Sequence, residues 1–264
     1  FASLGLSPAL VHAAEKAGFV APTPIQAGAI PSILQGADLL GAAQTGSGKT
    51  AAFALPLLQQ LQLSATQGPG GPRRVRALVL VPTRELAAQV GEVLRSLAQH
   101  LQQPLKVAIV FGGVSINPQM LGLRGGADIV VATPGRLLDL VEHNALRLGT
   151  VAHLVLDEAD RLLDLGFAEE LQRVLALLPA QRQNLFFSAT FPAAVQALAG
   201  GLRKNPVRVE GQGAQRVARA GVCGHAIRGR AGGREAVQGG HLCIALPRRP
   251  EPGRAQPGAA GVQG

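Results

Sequence analysis

Five short apolar runs, each breaking off into a polar cluster, constrain this chain more than any other feature. "DLLGAAQ", "LVLVPTR", "VVATPGR", "LVLDEAD" and "LFFSAT" begin at residues 38, 78, 130, 154 and 185. Uninterrupted apolar runs, as opposed to alternating ones, suit strands that are buried on both faces. Helical patterns separate them, so the strands are expected to be parallel and joined by crossovers. Six strands are predicted, over 38–43, 75–81, 105–111, 127–133, 151–157 and 183–189. The expected fold class is α/β, an open parallel sheet with helices on both faces. In such sheets ligands sit beyond the carboxyl ends of the strands, and all five polar clusters lie at that end.

Two helices are expected ahead of the strands. "ALVHAAEKAG" follows Ser7-Pro8 and reads as a helix capped by Ser7 and closed by Gly18. "PIQAGAIPSILQG" reads as a second, bent at Pro31. Residues 64–74, rich in Gly and Pro, read as a mobile surface loop. The pattern of strands and helices stops after "NPVRVE" (205–210), which sets a boundary near Glu210. Residues 211–264 are Gly/Ala/Arg/Pro-rich, contain no Asp and no aromatic residue, and are expected to be largely unstructured.

The net charge of +9 points to a polyanionic partner, but it is unevenly placed. Eight arginines and three glutamates from residue 210 onward carry +5 of it, leaving +4 before them. Charge alone is therefore a weak argument for nucleic acid. Only two cysteines occur, Cys223 and Cys243, which suits a reduced, cytoplasmic setting. No apolar run is long enough to span a bilayer as a helix, and no membrane association is expected. No secretory signal precedes the first helix. The chain begins at Phe1 without Met, so its true N-terminus is expected to be missing or trimmed.

"AAQTGSGKT" (42–50) follows an apolar strand and opens a helical pattern, the context a phosphate-binding loop requires. Gly46 and Gly48 allow backbone N–H groups to turn toward a phosphate, and the helix adds its positive dipole. Residues Ala43, Gln44, Thr45, Gly46, Ser47, Gly48, Lys49 and Thr50 are expected to hold the nucleotide. Lys49 reaches the outer phosphates and Thr50 holds Mg²⁺ in this reading. Ala43 stands where the usual pattern has Gly. A plain Gly-rich turn is the bland alternative.

In "LVLDEAD", Asp157 follows a strand of the same sheet, where an acid completes a Mg²⁺–nucleotide site. Glu158 is the natural group to orient or deprotonate an attacking water. Asp160 is expected to contact a neighbouring motif, not the metal. A solvated acidic turn is the alternative.

"AQTGSGKT", "PTREL", "GG", "TPGR", "DEAD" and "SAT", in that order, resemble the DEAD-box ATP-dependent RNA helicases. The segment "FGGVSINPQM…LRGGADIVVATPGRLLDL" looks most like the bacterial RhlE-type branch. The resemblance covers about residues 1–210 and implies a RecA-like domain that uses ATP and Mg²⁺ and binds single-stranded or structured RNA. "GFVAPTPIQ" (18–26) is similar to the family's adenine motif. It implies Gln26 on the adenine edge and Phe1 stacked on the base. For RNA it implies Pro82, Thr83 and Arg84, then Gly112 and Gly113, then Thr133, Pro134, Gly135 and Arg136. Small residues let amides approach phosphates, hydroxyls donate to them and arginines fork onto them, so binding should be indifferent to sequence and sensitive to salt. Ser188 and Thr190 of "SAT" are implied to couple nucleotide state to domain closure through the acidic motif. As structure alone, Ser-Ala-Thr would cap a helix starting near Pro192. Ribonucleoprotein or RNA-decay partners are consistent with the family.

His153 reads as a core histidine, and His12, His100 and His143 as helix-surface residues. Cys223/His225 and His241/Cys243 are spaced too tightly for a zinc knuckle. The second RecA-like domain of the family has no counterpart after residue 210. The tail is expected to be an out-of-frame translation, or else a basic extension that adds RNA affinity.

Overall fold

A computed structural model describes residues 1–64, 73–200 and 206–211. The tail and the two Cys/His pairs within it, like most of the loop expected at 64–74, lie outside the described residues. Among the described residues the sheet has seven strands, all parallel. In chain order they are β1 (Leu39–Ala42), β2 (Ala77–Leu80), β3 (Val107–Val110), β4 (Ile129–Ala132), β5 (His153–Leu156), β6 (Gln183–Ser188) and β7 (Val207–Glu210). Across the sheet the order is β3-β4-β2-β5-β6-β1-β7.

Among the described residues nine α-helices connect and cover the strands: α1 (Pro8–Lys16), α2 (Pro24–Leu34), α3 (Lys49–Leu63), α4 (Arg84–Ala98), α5 (Asn117–Gly122), α6 (Pro134–Glu142), α7 (Ala159–Asp164), α8 (Ala168–Leu177) and α9 (Ala193–Ala199). One apolar cluster joins α1 to α4 with Ala77, Val79, Val155, Leu185 and Phe187. The other joins α5 to α9 with Leu78, Leu80, Leu154, Leu156 and Phe186. Successive strand residues thus feed opposite clusters, which is why the strands read as uninterrupted apolar runs.

The glycine in β1 has a packing cause. Phe187 of β6 is fully buried, lies 5.5 Å from the Phe53 ring of α3, and crosses over Gly41. A Cβ at Gly41 would stand 2.6 Å from Phe187 Cδ1. Gly41→Val should therefore overpack the layer between β1 and α3 and destabilise the fold by about 1–3 kcal/mol. Urea unfolding would show this as a lower midpoint with an unchanged slope.

Several local expectations need correction. β7 was not foreseen as a strand: it offers only Val207 and Val209 to the fold, with Arg208 and Glu210 exposed, as an edge strand alternates. Ser7 makes no side-chain cap on α1; its N–H instead donates to Gln59 Oε1 at 2.7 Å. Gly18 does close that helix, at φ 84°, with the Phe19 N–H reaching Ala14 O at 2.9 Å. α2 continues through Pro31 to Leu34. The Ser-Ala-Thr run does not cap α9, whose N-cap is Pro192. At the edge of the 64–74 segment Arg73 is tied down, donating to Pro104 O at 2.9 Å. His153 is half-buried, its Nδ1 3.1 Å from Gln183 Oε1. His12 and His100 meet edge-on at 5.9 Å, a contact between α1 and the turn after α4 that sequence does not show.

Candidate nucleotide site and nucleic-acid edge

The strand order sorts the polar clusters along the carboxyl edge. β1 delivers the Gly-rich loop and β5 delivers Asp157, with β6 and Ser188 between them. β2, β4 and β3 deliver Pro82–Arg84, Thr133–Arg136 and Gly112-Gly113 on the other side of the same edge.

In the loop, Gly46 and Gly48 adopt φ 82° and 91°, conformations that favour glycine. Gly48 is also crowded, because Gln26 Nε2 lies where its Cβ would go. Ser47 closes the loop on itself, its N–H and Oγ both donating to Gln44 O, at 3.3 and 2.7 Å. Gln44, Thr45, Gly46 and Ser47 line a groove of about 330 Å³ with Thr23, Pro24, Ile25 and Gly211. That volume lies in the range of small-molecule sites, which start near 300 Å³. Ala43, expected in the site, is fully buried and its N–H goes to Ser188 O at 3.0 Å, so it presents no donor to the groove. Phe1 does not line the groove; it packs, half-buried, against the cluster under α1–α4.

Lys49 opens α3 and is 6% exposed, yet its ammonium has no hydrogen-bond partner. The nearest carboxylate oxygen, Asp157 Oδ1, is 3.9 Å away. A buried cation left unsatisfied beside an open loop of amides is suited to an anion. Thr50, next on the helix, is half-buried.

Asp157 is 2% exposed, and burial pushes its carboxyl up to about 6; Lys49 opposes the rise and Glu158 adds to it. Glu158 adopts φ 53° and ψ 52°, a left-handed conformation uncommon for a side chain of its size. That backbone aims the buried carboxylate across the sheet edge. Oε1 accepts from Thr45 Oγ1 at 3.3 Å, and Oε2 accepts from the Arg161 guanidinium at 2.8 Å. Neither tie was visible in the sequence, although Arg161 stands one turn along from Glu158.

Asp160 turns away from Asp157 toward "SAT". Its Oδ2 accepts from the N–H and the Oγ1 of Thr190, both at 2.9 Å, and its own N–H donates to Ser188 Oγ at 3.1 Å. Burial raises the Asp160 carboxyl, but the Thr190, Ser188 and Arg161 donors outweigh it and hold the group below its usual range. Gln26 is also engaged within the fold. It is 1% exposed, with Oε1 accepting from the Thr23 N–H at 3.0 Å and Nε2 donating to Gly48 O at 3.1 Å. It thereby links the start of α2 to the Gly-rich loop.

On the other side, Thr83 caps α4 by accepting the Leu86 N–H at 3.2 Å, and Arg84 is exposed beside Glu85. Thr133 Oγ1 accepts the Gly112 N–H at 3.3 Å, joining two of the expected RNA segments. Gly113 has φ 81° and is exposed. Arg136 is 9% exposed, with one guanidinium nitrogen donating to Val114 O at 2.7 Å; Nε and Nη1 make no hydrogen bond, although Nε lies 3.5 Å from Asp139 Oδ2. Pro134 starts α6 at its first position. Among the described residues no three His, Cys, Asp or Glu side chains converge as a metal cluster, and no helix is long and apolar enough to cross a membrane.

Comparison with known proteins agrees with this arrangement. The family model for DEAD/DEAH box helicases matches residues 23–198. "ATP-dependent RNA helicase DeaD" of Escherichia coli K12 is 44% identical over 211 residues, covering 79% of this chain and 32% of that protein. "DEAD-box ATP-dependent RNA helicase CshA" of Streptococcus pneumoniae is 44% identical over 210 residues, covering 80% and 38%. The chain therefore spans about a third of the length of these relatives. The crystal structure of a DEAD box protein from Methanococcus jannaschii superposes with a TM-score of 0.71 at 36% identity, over 80% of this chain and 56% of that one. The sheet is thus of the RecA-like type these structures share. With the loop, the acids and the "SAT" contact gathered on one edge of such a sheet, and the family model spanning most of the described residues, the chain belongs to the DEAD/DEAH box helicase family.

Proposed function

We propose that this chain is the nucleotide-binding part of an ATP-dependent RNA helicase, in which ATP hydrolysis drives RNA unwinding or remodelling. The observation that carries the reading is the buried Lys49 ammonium, which makes no hydrogen bond, beside Asp157 and the Gly-rich loop. Lys49 and the loop amides bind the phosphates, Gln26 and the 23–25 segment take the adenine, and Glu158 orients and accepts a proton from water. Asp160, Ser188 and Thr190 pass nucleotide state along the edge. Pro82–Arg84, Gly112-Gly113 and Thr133–Arg136 hold the RNA backbone.

The donor set suits Mg²⁺. With only Asp157 and Thr50 to offer, an ion here takes its remaining ligands from phosphate and water, as Mg²⁺ prefers. When bound it neutralises phosphate charge. A carboxyl titrating near 6 has to lose its proton to serve. The metal-dependent part of nucleotide affinity should therefore fall about tenfold per pH unit below pH 6. Asp157→Asn should abolish that pH dependence in a calorimetric titration run with and without Mg²⁺. The fold responds in the opposite sense. Because the folded value lies above the ordinary 3.8, this group costs stability that grows as pH rises from about 4 to about 6.

The segment at 111–140 favours the RhlE-type branch, although the relatives above carry DeaD and CshA names. We place the protein in the cytoplasm, acting on RNA without sequence preference. We take the domain to end near residue 210, with a separate Gly/Ala/Arg/Pro segment after it. A second reading is that these residues by themselves act as a half-helicase that holds nucleotide and RNA without productive turnover, since the groove at the Gly-rich loop lies on a single sheet edge. ATP turnover by this chain with and without single-stranded RNA separates the two. Stimulation by RNA supports the enzyme, and retained ATP binding without stimulated turnover supports the half-helicase.

A further inference from the structure

The positive charge of the body is not where the predicted ligands bind. Among the described residues of the carboxyl-edge clusters, each cation has a carboxylate within 4 Å: Lys49 with Asp157, Arg84 with Glu85, Arg136 with Asp139 and Arg161 with Glu158. The opposite edge is different. Among the described residues, the segments leading into β2, β3, β4 and β5 (73–76, 99–106, 123–128 and 143–152) contain six Arg and Lys side chains and a single acid, Asp128.

Asp128 is 7% exposed and already spent. Its carboxylate accepts from Arg73, from Arg76 at 2.9 Å and from the Lys106 N–H at 2.9 Å. These ties draw the three segments together at one end of the sheet. Lys106 Nζ donates to Arg124 O at 3.0 Å, and Thr150 Oγ1 holds the loop bearing Arg147 to Val75 O at 2.9 Å. Arg74, Arg124 and Arg147 are exposed and, with Lys106, have no acidic partner among the described residues. These segments hold no Phe, Tyr or Trp, and His100 already meets His12 edge-on, so the surface offers mainly charge and fork-shaped donors.

We propose that this edge, through Arg74, Lys106, Arg124 and Arg147, is a second RNA-backbone contact, remote from the nucleotide. A four-residue strand separates the edges by about 13 Å, so RNA held at 82–84 and 133–136 does not reach it directly. RNA here belongs to a flanking stretch, and its binding is independent of nucleotide and of base sequence. The proposal takes RNA as the ligand class from the proposed function but does not need the nucleotide-linked clamp.

The test is anisotropy of a fluorescent RNA against KCl concentration, for the full chain and for Arg74→Gln/Arg124→Gln/Arg147→Gln. All three positions are exposed, so the fold should survive; a melting curve checks it. Three lost phosphate contacts should make the slope of log K on log salt shallower by about 2. The loss should be equal with and without Mg²⁺–nucleotide. Arg84→Ala/Arg136→Ala should instead remove only the nucleotide-dependent part of binding. An unchanged slope in the triple variant, or a change confined to the nucleotide-bound state, overturns the proposal. So does polyglutamate binding that the triple variant loses while RNA binding persists, which would make the partner an acidic protein. Parent binding that is lost in the triple variant but never responds to nucleotide upholds this contact and sinks only the clamp.

Discussion

Glu158→Gln should bind ATP within about threefold of the parent and lose turnover by about 10²–10⁴, the range for removing a positioned general base. The geometry makes this a clean substitution. Glu158 sits on a left-handed backbone with both carboxylate oxygens engaged, one by Thr45 and one by Arg161. A glutamine fits the same volume, its carbonyl still accepting from Arg161 and its amide donating to Thr45 Oγ1. What disappears is basicity. Lys49, the loop glycines and Asp157 are untouched, so the contacts proposed for the phosphates are kept. The measurement is single-turnover hydrolysis at saturating ATP beside calorimetric affinity. Loss of affinity in step with turnover would mean that Glu158 is a binding group, and unimpaired turnover would move the base elsewhere.

The sheet was legible because burial on both faces writes itself into sequence. Leu78-Val79-Leu80 and Leu154-Val155-Leu156 are apolar at every position, since alternate residues enter opposite clusters. β7 was illegible for the converse reason. At the sheet edge only Val207 and Val209 face the fold, and two valines separated by an arginine carry too little pattern. The cap at Ser7 failed because a tertiary contact to Gln59 took the local role that propensity assigned to a side chain.

Within the site, what sequence could give was chemical type and order along the chain, and what it could not give was the partner of each group. The phosphate-binding loop, the acids and the "SAT" run were visible as motifs, but the bond from Asp160 to Thr190 spans thirty residues and exists only because β5 and β6 are neighbours. Ala43 looked like a loop residue until its N–H was found on Ser188, across the β1–β6 pairing. Gln26 shows the same limit. Its type suits an adenine edge, yet in this structure its amide is spent on Thr23 and Gly48, so taking up a base requires exchanging those bonds. Such an exchange would connect base recognition to the phosphate-binding loop through a single side chain.

Lys49→Ala should raise the dissociation constant for ATP by about 10- to 150-fold, from the 1.5–3 kcal/mol typical of a hydrogen bond to a charged group. The parent pays in the ligand-free state for this contact, since the ammonium is buried with no hydrogen bond and only a carboxylate at 3.9 Å. Its removal should therefore affect the empty fold in a way that depends on pH. Asp157 titrates near 6, and losing Lys49 pushes it higher still. At pH 5 Asp157 is mostly protonated, so Lys49→Met deletes an unsatisfied cation and leaves no bare charge behind. The variant should then melt no lower than the parent. At pH 8 the same substitution leaves a carboxylate that keeps the Glu158 N–H at 3.0 Å but must either stay charged with no cation beside it or take up a proton. Breaking a buried pair in this way costs about 3–5 kcal/mol. Thermal melts at the two pH values, read beside ATP affinity, separate a phosphate ligand from a structural one. A structural Lys49 would lower stability at both pH values and change affinity little, whereas a phosphate ligand gives weak binding at both and instability only at the higher.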